Sequence, residues 1–191
     1  MKKVEVTIEG TSPLLQHRYG ETAELNGKKK TRSALVEDKL PRDEAAVSLY
    51  RTACGKYYHP GSAIHRMLTN AGSNHKLKGT RKSARYVVPS AVRVLEEAVV
   101  ILDPETNKPA TEWEVDSRSV VIPATKGRIM RHRPRWDKWR MKVNVTVNDD
   151  ILPVDFVHTL FNEAGTTQGL GDYRPERCGG FGCFRVIEFK E

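Results

Sequence analysis

The feature that most constrains the fold is the order in which the hydrophobic period changes along the chain. Residues 2–9 alternate apolar and polar, with Val4, Val6 and Ile8 on one side, the period of a half-buried strand. Helical spacing follows at Ile64, Met67, Leu68 and Ala71, opened by Pro60-Gly61-Ser62, with Ser62 placed to cap the helix and Gly72 to stop it. Stretches rich in β-formers come next, at about 86–95, 98–102, 117–123 and 139–147, the last alternating Met141, Val143, Val145 and Val147. After Pro153 a helix carries Val154, Val157, Leu160, Phe161 and Ala164 on one side and ends at Gly165, before a last strand at about 183–189. A shorter helix is predicted from Pro41 to about Ala53, where a proline and then Asp43-Glu44 suit the first turn.

This succession predicts an α+β fold of the split βαβ, ferredoxin-like (RRM-like) kind. The 191 residues suit a single domain over 1–191, with polar insertions at about 20–42 and 103–115. The aromatic RNP motif of RRM proteins is absent from the sequence. No run of apolar residues is long enough to span a bilayer, and the start has no signal-peptide block, so a cytoplasmic protein with no membrane partner is expected. Three cysteines, Cys54, Cys178 and Cys183, fit a reducing compartment better than a disulfide framework. They lack a second ligand pair for zinc, so no metal site and no cofactor are expected.

The net charge of +8 is unevenly spread. Residues 51–95 hold nine Lys and Arg and no acidic residue, and residues 126–142 hold eight against Asp137 alone. Together these stretches carry +16 and the rest of the chain −8, which makes a polyanion the expected partner. The acidic remainder offers a surface that the basic face of a second copy can meet.

Several candidate contacts follow from residue type. The loop at 73–85 supplies Lys78, Arg81, Lys82 and Arg85. The run Arg131-His132-Arg133-Pro134-Arg135-Trp136-Asp137-Lys138-Trp139-Arg140 interleaves cations with indoles. Guanidinium forks suit phosphates and flat π faces suit unpaired bases, so Arg131, Arg133, Arg135 and Arg140 are candidate phosphate ligands and Trp136 and Trp139 candidate stacking residues; the bland alternative is that the two indoles are core. The segment holding Gly169, Gly171, Gly179, Gly180 and Gly182 can bring main-chain N–H groups to a phosphate, with Tyr173 and Arg174 in its middle, or can simply pack tightly.

Three elements then come together in order. A first strand runs into Gly10-Thr11-Ser12-Pro13-Leu14, Tyr58-His59-Pro60-Gly61-Ser62-Ala63-Ile64-His65-Arg66-Met67-Leu68 opens a helix, and Gly169-Leu170-Gly171 is separated by eight residues from Gly180-Phe181-Gly182 before the last strand. This arrangement resembles the RAMP superfamily, whose backbone-forming subunits build CRISPR effector complexes and which has relatives in phages and mobile elements. The eight-residue spacing is longer than the family's usual loop, and Asp172 and Glu176 offset its basic content. The resemblance implies single-stranded RNA or DNA as ligand, with a site near Gly61, Ser62, His65 and Arg66 and the glycine-rich loop beside it. It also implies copies of the chain, or other RAMP-type subunits, as partners assembled side by side into a filament. The insertions at 20–42 and 103–115 then act as thumbs.

Some members of that family cut RNA, which makes a metal-independent endoribonuclease the alternative. His17, beside Arg18 in a loop after the first strand, is the candidate general base, with no partner visible in the sequence. Glu37, Asp38, Asp43 and Glu44 are the carboxylates to consider for metal-dependent cleavage, though acids at a helix start ordinarily complement its dipole. A third reading is an adaptor whose basic face docks an acidic protein.

Overall fold

The computed structural model describes residues 1–18, 40–77, 79, 81–121 and 126–191. Along the chain, β1 (Lys2–Gly10) and β2 (Leu14–Leu15) precede α1 (Pro41–Val47), β3 (Tyr58–Pro60), α2 (Gly61–Ala71) and α3 (Val88–Ala91). Then come β4 (Val92–Val94), β5 (Ala98–Val100), β6 (Glu114–Val121), β7 (Arg128–Trp136), β8 (Arg140–Val147), α4 (Val154–Thr167) and β9 (Phe184–Lys190). The fold is mixed α+β with antiparallel sheets.

Four strands form the main sheet in the order β4-β8-β1-β9. β1 and β8 pair along their length, from Lys2 opposite Val147 to Glu9 opposite Arg140. The period-two pattern decides the faces: Val4, Val6 and Ile8 stand opposite Val145, Val143 and Met141, all buried. Ile64, Met67, Leu68 and Ala71 of α2 and Val157, Leu160, Phe161 and Ala164 of α4 complete the same core. Each fully buried Leu or Phe there contributes about 1.5–3 kcal/mol. The other face of β1 and β8 is polar, and Glu9 ties it together by accepting from Arg140 and from Arg185 (2.8 Å), which holds its carboxyl below the usual range.

β6 and β7 form a hairpin, from Glu114 opposite Arg135 to Val121 opposite Arg128. β2 joins it through Leu14 opposite Trp136, and the third sheet is the short pair β3–β5.

Four expectations need correction. The helix from Pro41 ends at Val47, because Ser48 turns the chain and its carbonyl accepts from the Arg18 N–H (3.0 Å). The stretch 86–95 is strand only over Val92–Val94; Pro89, which has no N–H to give a ladder, sits in the first turn of α3, and Ala84 and Val88 are buried on the way in. Ser62 does not cap α2: the helix begins one residue earlier, at Gly61, and Ser62 is exposed in its first turn. Gly165 does not end α4, which runs through it to Thr167. The 103–115 stretch makes contacts within its own chain. Asp103 closes a turn by accepting from the Glu105 N–H (2.8 Å), Lys138 pairs with Glu105 (2.7 Å), and β6 starts at Glu114. Of the 20–42 insertion, residues 20–39 lie outside the described residues.

Candidate nucleic-acid interface

β3 runs directly into α2 because position 61 is glycine. A Cβ there would stand 1.8 Å from the Glu96 carbonyl oxygen, while the Gly61 N–H donates to the Glu97 carbonyl (2.9 Å). The glycine-rich segment folds back on β2: Asp172 N–H donates to Leu15 O (2.9 Å), Leu170 N–H to Gly182 O (2.9 Å) and Gly182 N–H to Pro13 O (2.8 Å). Gly182 has φ +69°, and a Cβ on it would meet the Leu170 carbonyl at 1.8 Å, so close approach and left-handed backbone both demand glycine. Between α2 and this loop lies a cleft of about 240 Å³ whose walls include Gln16, His17, Tyr50, His59, Arg66 and Arg174.

Asp172 organises one wall. Its Oδ2 lies 2.6 Å from Arg133 Nε and 3.3 Å from His17 Nδ1. Burial pushes this carboxyl up, but the His17 contact and the Arg133 charge outweigh it and bring it down to about 2. The buried Arg133 guanidinium also lies 5.3 Å from the centre of the Tyr173 ring. On the other side Arg174 Nε donates to Glu176 Oε2 (2.8 Å), its Nη1 to Gly171 O (2.8 Å), and Asn70 Nδ2 to Glu176 Oε1 (3.0 Å). Gln16 is buried and satisfied at both ends, donating to Tyr58 O (2.7 Å) and accepting from Tyr50 N–H (3.0 Å). His59 is buried with neither ring nitrogen hydrogen-bonded, and burial, then the charge of Arg174, pulls its imidazole down to about 4.

The structure brings together His17, Arg66 and Arg174 with Gly169 and Gly171 around the cleft. Gly61 is buried at the start of α2, His65 is half-buried, and Arg66 is exposed with no carboxylate partner among the described residues. Arg18 stands with its guanidinium 6.0 Å from the Tyr50 ring centre. Gly179 packs on the Tyr173 carbonyl, while Gly180 has open space where a side chain would go. Arg81, Lys82 and Arg85 are exposed on the stretch before α3, and Lys78 lies outside the described residues.

The indoles need correction as stacking residues. Trp136 and Trp139 are buried, the first 5.7 Å from the Tyr57 ring and the second donating to the Ser12 carbonyl (2.8 Å), so their faces belong to the core. The basic run around them is largely neutralised from within. Arg131 faces Glu44 (3.8 Å), Arg133 Asp172, Arg135 Asp137 (2.5 Å), Lys138 Glu105 and Arg140 Glu9. Charge that is segregated in sequence is interdigitated here in space, and most of the acids involved come from the remainder expected to face a second copy.

Sequence reasoning missed Asp172 as the partner of His17, and Gln16, Tyr50 and His59 as cleft residues. No periodicity links positions 16–18 to 172; a Gly-Asp-Tyr-Arg run in a glycine-rich loop was the available signal. Among the described residues no group of three or more His, Cys, Asp and Glu is placed to hold a metal ion, and no helix is long and apolar enough to cross a membrane.

No protein-family model matches the chain, and no curated protein is similar to it. Among solved structures it is similar to a chain of a Type III-B Cmr-beta complex solved by cryo-electron microscopy bound to cognate target RNA. The two share 10% identity and a TM-score of 0.52 over 98% of this chain, which spans 59% of the other's length.

Proposed function

We propose that this chain is a non-enzymatic, sequence-tolerant binder of single-stranded RNA or DNA, of the RAMP type, whose copies assemble side by side along the strand. The cleft carries the reading. It sets the exposed Arg66 of α2 in one wall and the glycine-rich loop with Arg174 in the other, a concave surface with cations that suits a phosphate backbone. The loop's own N–H groups are largely spent on carbonyls of this chain, so side chains rather than main chain would hold the phosphates. The antiparallel order β4-β8-β1-β9, with α2 and α4 on one face, supports a ferredoxin-like frame. The likeness to a chain from a complex bound to target RNA supports the ligand class, and subunits of similar type are then partners beside copies of the chain itself.

The test is to free the purified protein of nucleic acid and measure its size with and without a strand of about 30 nucleotides, long enough for several sites of roughly 4–16. Single-stranded RNA, single-stranded DNA and duplex are compared. Growth on a single strand, with affinity falling on added salt at a log–log slope of about −4 for about six phosphates, is expected. Unchanged size and a flat salt response overturn the proposal.

One observation favours a second reading, a metal-independent endoribonuclease. The Asp172 carboxylate lies 3.3 Å from Nδ1 of the half-exposed His17, the pairing of acid and imidazole that suits a general base. Labelled hairpin RNA should then be cut by the wild type and left whole by His17→Ala. An uncut wild-type reaction removes this reading.

A further inference from the structure

The two basic segments meet different fates, and the one without acids holds an aromatic residue that the core does not take up. Tyr86 is 76% exposed, the one aromatic among the large apolar side chains left in solvent within the described residues. Its backbone is not loose. It ends the 3₁₀ turn Ala84–Tyr86, with Ala84 and Val88 both fully buried on either side. The Ser83 hydroxyl donates to Gly72 O (3.0 Å), and a Cβ on Gly72 would lie 3.0 Å from the Arg85 nitrogen, so the turn is pressed onto the end of α2. Ala84 N–H donates to His75 O (2.9 Å) and Leu77 N–H to Lys82 O (3.0 Å), which makes the preceding stretch a short paired ladder.

A phenol ring held outward on a pinned turn exposes a large apolar face that ordinary packing would bury. Around it in sequence, Arg81 and Arg85 are exposed and have no carboxylate partner among the described residues, and no Asp or Glu occurs anywhere from 51 to 95. The contrast with Arg131, Arg133, Arg135 and Arg140, each held by an acid, is direct.

We propose that Tyr86, with Arg81 and Arg85 just before it in the chain, is a stacking platform for one unpaired base of a bound single strand, outside the cleft. The inference rests on the nucleic-acid reading and adds to it a base-contacting residue. Open guanidinium forks suit phosphates, and a single rigid π face suits a base of any identity, which keeps recognition sequence-tolerant. Cations alone would also draw an acidic protein; the exposed ring is what favours a strand with unpaired bases.

The test is the affinity of a fluorescent oligo-uridine or oligo-thymidine for the wild type, Tyr86→Ala, Tyr86→Phe and the double variant Arg81→Gln/Arg85→Gln, each as a function of salt. Tyr86→Ala should weaken binding about tenfold with its salt slope unchanged, and Tyr86→Phe should bind like the wild type. The double arginine variant should make the slope shallower by about 1.4. An abasic strand should bind the wild type and Tyr86→Ala equally, because it has nothing to stack. If the wild type binds oligonucleotide and Tyr86→Ala binds it equally well, the platform is wrong while the nucleic-acid reading stands. If the wild type binds no oligonucleotide, that reading itself has failed. If polyglutamate competes better than oligonucleotide and Tyr86→Ala weakens that competition, the surface serves an acidic protein and the proposal is overturned.

Discussion

Arg133 of β7 and Asp172 of the glycine-rich loop meet at 2.6 Å, joining the β6–β7 hairpin to the cleft wall through a buried guanidinium. Breaking such a pair from one side strands a charge, whereas removing both partners does not. Asp172→Asn should therefore cost on the order of 2–4 kcal/mol in denaturant unfolding, and Arg133→Met a comparable amount. The double variant should lose clearly less than their sum. Strict additivity would show that the two side chains do not act as a pair.

Asp172 also sets an acid limit. Its folded-state carboxyl, at about 2, lies below its ordinary 3.8, so the pair's contribution is complete above 3.8 and fades as pH falls through 2. His59 acts at milder acidity. Buried and neutral with a pKa of about 4 against 6.5 when exposed, it makes the unfolded chain bind the extra proton between those values. Stability should fall by up to about 3 kcal/mol as pH drops from 6.5 to 4, and His59→Phe should flatten that part of the profile. Unfolding titrations at pH 7, 5 and 4 decide it; parallel profiles for wild type and variant would contradict the assignment.

Two glycines in one short run make opposite predictions. Gly182 combines φ +69° with a carbonyl 1.8 Å from any Cβ, so Gly182→Ala should destabilise by more than about 2 kcal/mol. Gly180 has nothing within 4 Å of a Cβ, and Gly180→Ala should stay within about 0.5 kcal/mol of wild type. Melting temperatures of the two variants measure the difference. Equal shifts would mean that the loop tolerates a rearrangement this packing does not show.

What could be read in advance was periodic. The alternation of Val4, Val6 and Ile8 and of Met141, Val143 and Val145 carries the paired central strands, and the helical spacing of Ile64, Met67 and Leu68 carries α2. What could not be read depended on partners distant in sequence. Trp136 and Trp139 sit among arginines in the sequence, yet Trp136 at the end of β7 and Trp139 just before β8 are both buried in the core. The charges beside them are answered by Glu9, Glu44, Glu105 and Asp172, and no local pattern announces those pairings. The cleft was legible in its two walls but not in Asp172 or His59. Tyr86 drew no attention, because it lies in a stretch that read as a strand and became a turn.

The glycine-rich loop is already pressed against its neighbours: Leu15 O stands 2.2 Å from where a Cβ of Gly171 would be, and Leu170 O closer still to that of Gly182. Packing this close leaves Gly171 and Gly182 little room to shift when the cleft is occupied. Occupation of the cleft should then proceed in one kinetic phase whose rate rises linearly with ligand concentration, and differences among ligands should show in how long each stays rather than in how fast it arrives.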